Sequence, residues 1–192
     1  MRAFLAVPRD AGWAAAAEEA LAPLRPALPP ASWTRPETWH LTIRFLGDVP
    51  PAGLERFAAR IAEAAAGRAA LRLAAGGAAR FPPRGRARVL GVALREDTGA
   101  LADLAAAAER EARAIGLDPE ERPYSPHVTF ARLRRPWPRP AIDRFEESVA
   151  RWPLPRWPAT ALVLVASALE ANGAVHTELA RFPLGARETV LS

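Results

Sequence analysis

The sequence predicts an α+β fold, because segments with the two-residue period of strands and segments with helical periodicity follow each other along the whole chain. Two of the strand segments are near-copies of each other, which indicates duplicated halves. No low-complexity linker interrupts the sequence, so we expect one domain spanning residues 1–192, with mixed sheets.

The first half of the chain begins with a strand. Residues 3–7 are apolar throughout, as in a central strand, and Asp10 is a suitable N-cap for an alanine-rich helix over residues 11–24. Three prolines in residues 25–30 predict a loop. The next predicted elements are a short strand at 32–34, a strand from 40 that ends at 47–51, a helix from 52 and a strand at 69–73.

The second half repeats the alternation. Glycine and proline make residues 76–85 a predicted turn region, and a strand is predicted at 87–95. Asp97-Thr98 is the expected cap of a helix that ends at Gly116. The remaining predicted elements are a loop at 117–126, a strand from 127, a connector at 134–140, a helix at 142–152, and strands at 159–169 and 175–182 joined by a turn at 170–173.

The two near-copies carry two of the three histidines in the chain. Residues 35–43 and 122–130 both read Arg-Pro, three residues, His, apolar, Thr, apolar. In the first copy the alternation of a strand places Leu41, Ile43 and Phe45 on one face. It places His40 and Thr42 on the other face. Such a strand turns an apolar side toward helices and presents an imidazole and a hydroxyl on the opposite side.

The second copy has the same arrangement. Val128 and Phe130 share one face, and His127 and Thr129 share the other. Two such strands related by a pseudo-two-fold axis would present two imidazoles across one cleft. The sequence therefore predicts a paired His-x-Thr site, with motifs at 40–42 and 127–129.

Two imidazoles facing one cleft suit a reaction that needs a general base and a general acid together, because histidine titrates near neutral pH. Attack on a cyclic phosphodiester has this requirement: water loses a proton, and the leaving ribose oxygen gains one. Each role typically contributes about 10²–10⁴-fold in rate. The threonine hydroxyls can donate to non-bridging phosphate oxygens, and arginine can neutralise the phosphate charge.

Composition narrows the classes of site and partner. The absence of cysteine excludes disulfides and thiolate metal sites. The chain also lacks a third clustered histidine with nearby carboxylates, so we expect no metal and no other cofactor. The formal net charge is +5, with arginine as every one of the 26 basic residues, which favours a phosphate-bearing partner. A genome rich in arginine codons accounts for most of that surplus.

The apolar segments are too short to span a membrane, and the apolar stretch at the N-terminus is too short for a signal peptide. We therefore expect a cytoplasmic protein without membrane contact.

On these motifs the sequence resembles the two-histidine phosphoesterase superfamily, and within it the RNA 2′,3′-cyclic phosphodiesterases, also called the 2′-5′ RNA ligase family. The resemblance extends over residues 2–7, 33–47, 122–132 and 180–185. It implies two pseudo-symmetric α+β lobes, with antiparallel or mixed sheets that face a central cleft and helices outside. It also implies hydrolysis of a 2′,3′-cyclic phosphate at an RNA end to leave a 2′-phosphomonoester.

The same resemblance implies roles for the site residues. His40 corresponds to the proton donor and His127 to the proton acceptor. Thr42, Thr129 and Arg132 are then the residues expected to bind phosphate. Simple alternation puts Arg132 on the face opposite His127, so the strand must bulge or end near residue 131 for this role to hold.

Other residues near the motifs have two interpretations each. Trp33, Trp39 and Tyr124 either stack a nucleobase or, as we favour, pack in the core. Arg44 shares the His40 face by alternation and either contacts phosphate or is an exposed strand residue. His176 is interpreted as structural. A cluster of arginines either follows an RNA backbone or lies in a solvated loop: Arg132, Arg134, Arg135 and Arg139.

Three functions remain open. The first is hydrolysis of RNA 2′,3′-cyclic phosphate ends, and the second is the reverse reaction, a 2′-5′ RNA ligase. The third is a nucleotide- or RNA-binding module without turnover, which the intact histidine and threonine pairs disfavour. The expected partner is RNA or an oligonucleotide with a 2′,3′-cyclic phosphate end. We expect a monomer with no obligate protein partner.

Overall fold

Two antiparallel sheets form the framework of the protein, and the computed structural model describes residues 1–170 and 173–185. The strands are β1 (Arg2–Pro8), β2 (Ser32–Trp33), β3 (His40–Asp48), β4 (Leu71–Phe81), β5 (Val89–Arg95), β6 (His127–Arg132), β7 (Trp157–Ala159), β8 (Ala161–Glu170) and β9 (Gly173–Pro183). The α-helices of the described residues are α1 (Ala11–Leu21), α2 (Pro51–Ala65), α3 (Ala100–Ala114) and α4 (Arg139–Ala150). None of these helices is long and apolar enough to cross a membrane.

The sheets do not follow the order of the chain. The first sheet has the order β3-β1-β8-β9, and the second has the order β2-β6-β5-β4-β7. The short strand β2 of the N-terminal half thus belongs to the second sheet, whereas the C-terminal strands β8 and β9 belong to the first. All strand pairs between described residues are antiparallel. The predicted α+β class is confirmed, with antiparallel rather than mixed sheets.

Strand β1 is buried on both faces, as expected of a central strand. Ala3, Leu5 and Val7 belong to the main hydrophobic core, whereas Phe4 and Ala6 belong to a smaller cluster with two valines of β8. The face that carries Phe4 is also the face against which the His40 ring lies, at 4.6 Å between ring centroids.

An aromatic cluster connects the two sheets into one continuous core. Trp13 of α1 lies 6.3 Å from Trp39, 6.2 Å from Phe130 of β6 and 5.2 Å from Trp157 of β7, measured between ring centroids. Trp39 and Phe130 are 4.5 Å apart. These rings are almost fully buried, and each one removes a large apolar area from water. The cluster fixes how the segment before β3 sits against β6.

Two predicted boundaries shift for backbone reasons. The first helix ends at Leu21 rather than near residue 24, because Pro23 has no N–H with which to continue the helix. Residues 76–81, predicted as part of a turn region, instead extend β4 to Phe81. The pairing of β4 with β5 shifts register between Ala75 and Ala78, so the intervening glycines form a bulge, with Gly77 at φ 94°.

The helix starts also differ from the prediction. The N-cap position of α3 is Gly99. The Glu96 carboxylate accepts the N–H of Thr98 at 2.9 Å and that of Leu101 at 3.3 Å, while the Thr98 hydroxyl of the predicted cap accepts the N–H of Ala100 at 3.4 Å. Helix α4 begins at Arg139, inside the predicted connector. A proline is tolerated in the first turn of a helix, because the backbone N–H group that it lacks would have no acceptor within the helix. For the predicted turn at 170–173, residues 171 and 172 lie outside the described residues.

Candidate active site

The two predicted histidines are held in the same way. The Nδ1–H group of His40 donates to the carbonyl oxygen of Thr38 at 2.7 Å, and that of His127 donates to the carbonyl oxygen of Ser125 at 2.7 Å. In both cases the acceptor lies two residues earlier in the chain. A carbonyl oxygen can only accept, so each neutral ring carries its proton on Nδ1 and offers Nε2 as the free nitrogen. The repeated phrase therefore positions both rings and fixes their tautomers.

Each imidazole also lies against a phenylalanine. His40 stacks on Phe4 at 4.6 Å between ring centroids, with 23° between the planes. His127 packs on Phe81 at 4.4 Å, with 44° between the planes. A hydrogen bond at Nδ1 and a ring against one face leave each imidazole little rotational freedom. Such preorganisation is required for a general acid or base.

Hydrogen bonds tie the two histidine strands together. The Tyr124 hydroxyl, three residues before His127, donates to the carbonyl oxygen of Thr42 at 3.2 Å. Strands β3 and β6 accordingly lie next to each other although they belong to different sheets. The strands that carry the two motifs are thus in contact.

A second bridge runs through Thr34. Its backbone N–H donates to the carbonyl oxygen of Phe130 at 2.8 Å, and its hydroxyl lies 2.8 Å from the carbonyl oxygen of Thr129. The same hydroxyl accepts the indole N–H of Trp39 at 2.9 Å. Trp39 directly precedes His40, so this network relates the position of His40 to that of the second motif.

The threonines lie on the faces predicted for them. In β3, Thr42 is half-buried between the buried residues Leu41 and Ile43. In β6, Thr129 is half-buried between two buried neighbours in the same way. Each hydroxyl therefore shares the exposed side of its strand with the histidine two residues before it.

Arg132 reaches the side of His127 because β6 bulges. Leu90 of β5 pairs with Ala131, but the next residue, Gly91, pairs with Thr129, so Phe130 is an extra residue in the ladder. Phe130 and Ala131 are both fully buried, which breaks the alternation by one residue. The bulge that the phosphate-binding role of Arg132 requires is present.

The pKa of His40 falls from its ordinary 6.5 to about 4. Burial is the largest cause, because a buried imidazolium loses hydration. The hydrogen bond to Thr38 opposes the shift, and the charges of His176, His127 and Arg132 add to it.

The pKa of His127 is also lowered, again mainly by burial. Its hydrogen bond to Ser125 opposes the shift, and the positive charge of Arg132 adds to it. Arg132 therefore acts on both imidazoles. In the absence of an anion, both rings are mainly neutral at pH 7.

Comparison with known proteins identifies the family. The sequence profile of the LigT-like phosphoesterases matches the chain twice, over residues 11–91 and over residues 92–176. Each match contains one of the two His-x-Thr motifs. The chain belongs to the LigT-like phosphoesterase family.

Several LigT-like proteins are similar over long stretches. The chain is 32% identical to the RNA 2′,3′-cyclic phosphodiesterase of Thermus thermophilus, over 96% of this chain and 90% of that protein. It is 31% identical to the protein of the same name from Geobacillus stearothermophilus over 67% of this chain, but the match spans 41% of that relative. The crystal structure of the protein TT0787, also from Thermus thermophilus, superposes with a TM-score of 0.79 at 28% identity, covering 97% of this chain and 100% of that one.

Two strand residues of this LigT-like site do not lie where alternation places them. Pairing with β1 skips Ile43 and Leu46, so β3 has two irregular positions. Phe45, predicted to be inward, is 52% exposed, and Leu46 is buried instead. Arg44 turns away from the His40 face, and its guanidinium donates to the Glu109 carboxylate at 2.6 Å and to the carbonyl oxygen of Asp118 at 2.6 Å. It therefore anchors β3 to α3 and the following loop.

His176 lies in the site, which sequence reasoning missed. Its ring is 5.3 Å from His40 and 5.2 Å from Phe4, edge-on to both. It is half-buried on β9, and burial lowers its pKa. No local pattern signals this contact, because it depends on how β9 joins the first sheet.

The remaining candidates are mostly structural. Trp39 is buried, Trp33 packs 6.1 Å from Trp137, and burial raises the pKa of the Tyr124 hydroxyl, which is bound to Thr42. Arg139 pairs with Asp143 at 2.5 Å on α4. Within the described residues no group of three or more His, Cys, Asp or Glu side chains is arranged to hold a metal ion.

Proposed function

We propose that this LigT-like phosphoesterase hydrolyses 2′,3′-cyclic phosphate ends of RNA to 2′-phosphomonoesters by paired-histidine acid–base catalysis. The observation that carries the proposal is the matched pair of imidazoles, each held at Nδ1 by a carbonyl 2.7 Å away. Both rings thus offer Nε2 to a substrate. The similarity to proteins named RNA 2′,3′-cyclic phosphodiesterase supports this choice of substrate.

In the proposed step, Nε2 of His127 removes a proton from water as its oxygen attacks phosphorus. The bond between phosphorus and the ribose 3′ oxygen breaks, and His40 gives its Nε2 proton to that oxygen. The products are a 2′-phosphomonoester and a free 3′ hydroxyl. The water proton ends on His127, so a proton must pass from His127 to His40 through solvent before the next turnover.

The charge that develops on the phosphate is stabilised by neighbouring donors. The hydroxyls of Thr42 and Thr129 donate to the non-bridging oxygens, and Arg132 neutralises part of the negative charge. Arg132 suits this role because its charge acts on both imidazoles. Every role in this step falls to a side chain, so the reaction needs no metal ion.

The lowered pKa of His40 affects when the proposed proton donor becomes protonated. In the free protein His40 is mainly neutral at pH 7, because its pKa is about 4. A bound cyclic phosphodiester brings one negative charge between the rings and raises the pKa of both. Binding of the substrate is therefore coupled to uptake of the proton that the leaving oxygen receives.

Product analysis tests the reaction. Adenosine 2′,3′-cyclic phosphate is incubated with the protein in the presence of EDTA, and the 2′- and 3′-phosphates are separated by chromatography. We expect adenosine 2′-phosphate to form at an undiminished rate. Loss of turnover in EDTA contradicts the metal-free step. A 2′-5′ linkage to an added 5′-hydroxyl oligonucleotide supports the ligase instead, and binding without turnover supports a recognition module.

A substrate with an activated leaving group tests the two histidine roles. A nitrophenyl phosphodiester needs no proton on its leaving oxygen. We expect His40→Ala to lower kcat by about 10²–10⁴-fold on the cyclic phosphate but far less on the nitrophenyl ester. His127→Ala should impair both substrates. The opposite pattern exchanges the two roles, and unchanged turnover in either variant removes that histidine from the mechanism.

Arginine variants test the phosphate-binding role. Arg132→Ala should lower kcat/KM for the cyclic phosphate, because the variant loses a charge near both imidazoles. Arg134→Ala is the matched control, since Arg134 is an exposed arginine two positions further along the chain. Equal losses in both variants would indicate a general effect of positive charge.

A further inference from the structure

A cavity of about 650 Å³ with three arginines in its lining lies on the second sheet. It is formed by the end of β4, the loop that follows this strand and helix α4. Its charged side chains are those of Arg80, Arg84, Arg139 and Glu146. Arg139 also pairs with Asp143 at 2.5 Å. Positive charge exceeds negative charge even when Asp143 is counted, so the cavity suits an anion.

Arg80 is the least exposed of the three arginines, with 15% of its side chain accessible. Its Nε–H is buried and has no acceptor among the described residues. One of its terminal N–H groups donates to the carbonyl oxygen of Gly85 at 3.3 Å, and the Glu146 carboxylate is 3.7 Å away, beyond hydrogen-bond range. A guanidinium has five N–H donors, so Arg80 keeps donors that no described residue satisfies. Phosphate oxygens are suitable acceptors, because a guanidinium binds phosphate through paired hydrogen bonds.

The cavity adjoins the candidate active site through β4. Arg80 and Phe81 are neighbours in this strand, so their side chains lie on opposite faces of the sheet. Phe81 packs on His127 at 4.4 Å between ring centroids, whereas Arg80 faces α4. In the strand pairing Phe81 lies opposite Val89, which lies opposite Arg132. The cavity is therefore at the end of the sheet that carries the proposed phosphate-binding arginine.

Exposed arginines continue along the chain from the active site to the cavity. Arg132 ends β6, and Arg134 and Arg135 follow in the connector that leads to Arg139 at the start of α4. All four side chains are exposed. A positively charged surface of this kind attracts the phosphodiester backbone of a single strand. This continuity favours a phosphate of the RNA chain over a free phosphate ion as the occupant of the cavity.

We propose that the cavity binds a backbone phosphate of the RNA strand upstream of its cyclic end, held by Arg80, Arg84 and Arg139. This inference rests on the proposed function, because it concerns the chain attached to the cyclic phosphate between the histidines. Contacts to phosphate oxygens carry no base information, so the cavity selects for chain length and not for sequence. An RNA end is then a better substrate than a cyclic mononucleotide, which has no second phosphate.

A comparison of substrate lengths tests the inference. Wild-type protein and the double variant Arg84→Ala/Arg139→Ala are assayed with adenosine 2′,3′-cyclic phosphate and with a pentaadenylate that ends in the same cyclic phosphate. Both arginines are exposed, so the fold should tolerate their removal. We expect kcat/KM to fall about 10-fold or more for the pentanucleotide, the range for hydrogen bonds to a charged group, and to stay unchanged for the mononucleotide.

Arg56→Ala/Arg110→Ala is the matched control, because it removes the same charge from exposed positions of α2 and α3. It should behave as wild type on both substrates. Equal losses of the Arg84→Ala/Arg139→Ala variant on both substrates, or none on either, overturn the inference while the proposed function stands. A pentanucleotide loss of the same size in the control also overturns it, because the effect is then one of net charge.

Equilibrium binding separates this inference from the proposed function, because it needs no turnover. Fluorescence anisotropy measures Kd for a labelled pentaadenylate with a 2′-phosphate end at several salt concentrations. The slope of log Kd against log salt should be smaller in the Arg84→Ala/Arg139→Ala variant by about 0.7, the value for one phosphate contact on a single strand. If wild-type protein shows this difference but turns over neither substrate, the proposed function fails and the phosphate site stands. Equal slopes overturn the site.

Inorganic phosphate distinguishes the other source of the same anion. It is added to the mononucleotide assay of wild-type protein and of the Arg84→Ala/Arg139→Ala variant. We expect the same effect on turnover in both proteins, because only the cavity differs between them. An effect of inorganic phosphate that the double variant abolishes makes the cavity a site for a free anion and overturns its assignment to RNA.

Discussion

Substitution of Gly91 by alanine should damage the site through the backbone that carries the second motif. An added Cβ at Gly91 would lie 1.9 Å from the carbonyl oxygen of Val128, 2.9 Å from its carbonyl carbon and 3.2 Å from the Cα of Thr129. All three are backbone atoms between His127 and Thr129. No side-chain rotation can relieve such overlap, so β6 must move away from β5 by roughly 1 Å or more, given that packed cores tolerate little added volume.

The expected loss follows from that displacement. A misplacement of about 1 Å in a catalytic group can cost about 10²-fold in rate, and His127, Thr129 and Arg132 all move with β6. We therefore expect kcat/KM for adenosine 2′,3′-cyclic phosphate to fall by about 10²-fold or more. Overpacking typically destabilises by about 1–3 kcal/mol, which denaturant unfolding measures.

Gly76→Ala is the matched control for this substitution. Gly76 lies in the neighbouring strand β4, and its added Cβ would meet Ala93 at 3.6 Å or more, an ordinary van der Waals distance. This variant should keep both activity and stability. A Gly91→Ala protein with wild-type kcat/KM would refute the argument that close approach of β5 positions the second motif.

Three further predictions follow from the same geometry. The pKa of His40 is about 4 and that of His127 is below 6.5, so kcat/KM should peak below pH 6.5 with one limb near pH 4; an optimum above pH 7 contradicts this. As pH falls from 6.5 toward 4, the unfolded state should bind more protons than the folded state, which lowers the free energy of unfolding by up to about 3 kcal/mol in acid denaturation. His176→Gln removes a charge that lowers the pKa of His40, so the limb near pH 4 should move to higher pH, whereas in Leu179→Ala it should stay. Thr34→Val leaves the Trp39 indole N–H without its acceptor and should lower the free energy of denaturant unfolding by about 1–3 kcal/mol. The control Thr38→Val loses only an exposed hydrogen bond to the Arg35 carbonyl oxygen and should change it by less than about 0.5 kcal/mol, and equal losses would mean that the Thr34 bridge adds no stability.

Much of this fold follows from the sequence because its signals are local. The strands of both motifs, the central strand β1 and the four helices are all present where periodicity indicates them, although several helix ends are shifted by up to three residues. The pairing of two rare histidines in one repeated phrase indicates a shared site without any knowledge of topology.

What escapes the sequence depends on strand register and on distant pairing. Strict alternation of strand faces fails at every bulge, so Phe45 and Arg44 were assigned to the wrong faces of β3. The role of Arg132 required a bulge in β6, but the sequence pattern alone does not show one. His176 approaches His40 because β9 joins the first sheet through β8. The sequence does not distinguish Gly91 from other strand glycines, because its role depends on the close approach of the β6 backbone.

The departures from the repeat are what allow the two halves to differ chemically. Two imidazoles in identical surroundings would have equal proton affinity, and neither would be favoured as acid or base. The repeated phrase gives both rings the same tautomer, but their neighbours differ: His40 faces His176 and Phe4, whereas His127 lies near Phe81. Residues outside the repeat therefore give the two rings different surroundings. The proposed division into donor and acceptor rests on these residues as well as on the duplicated motifs.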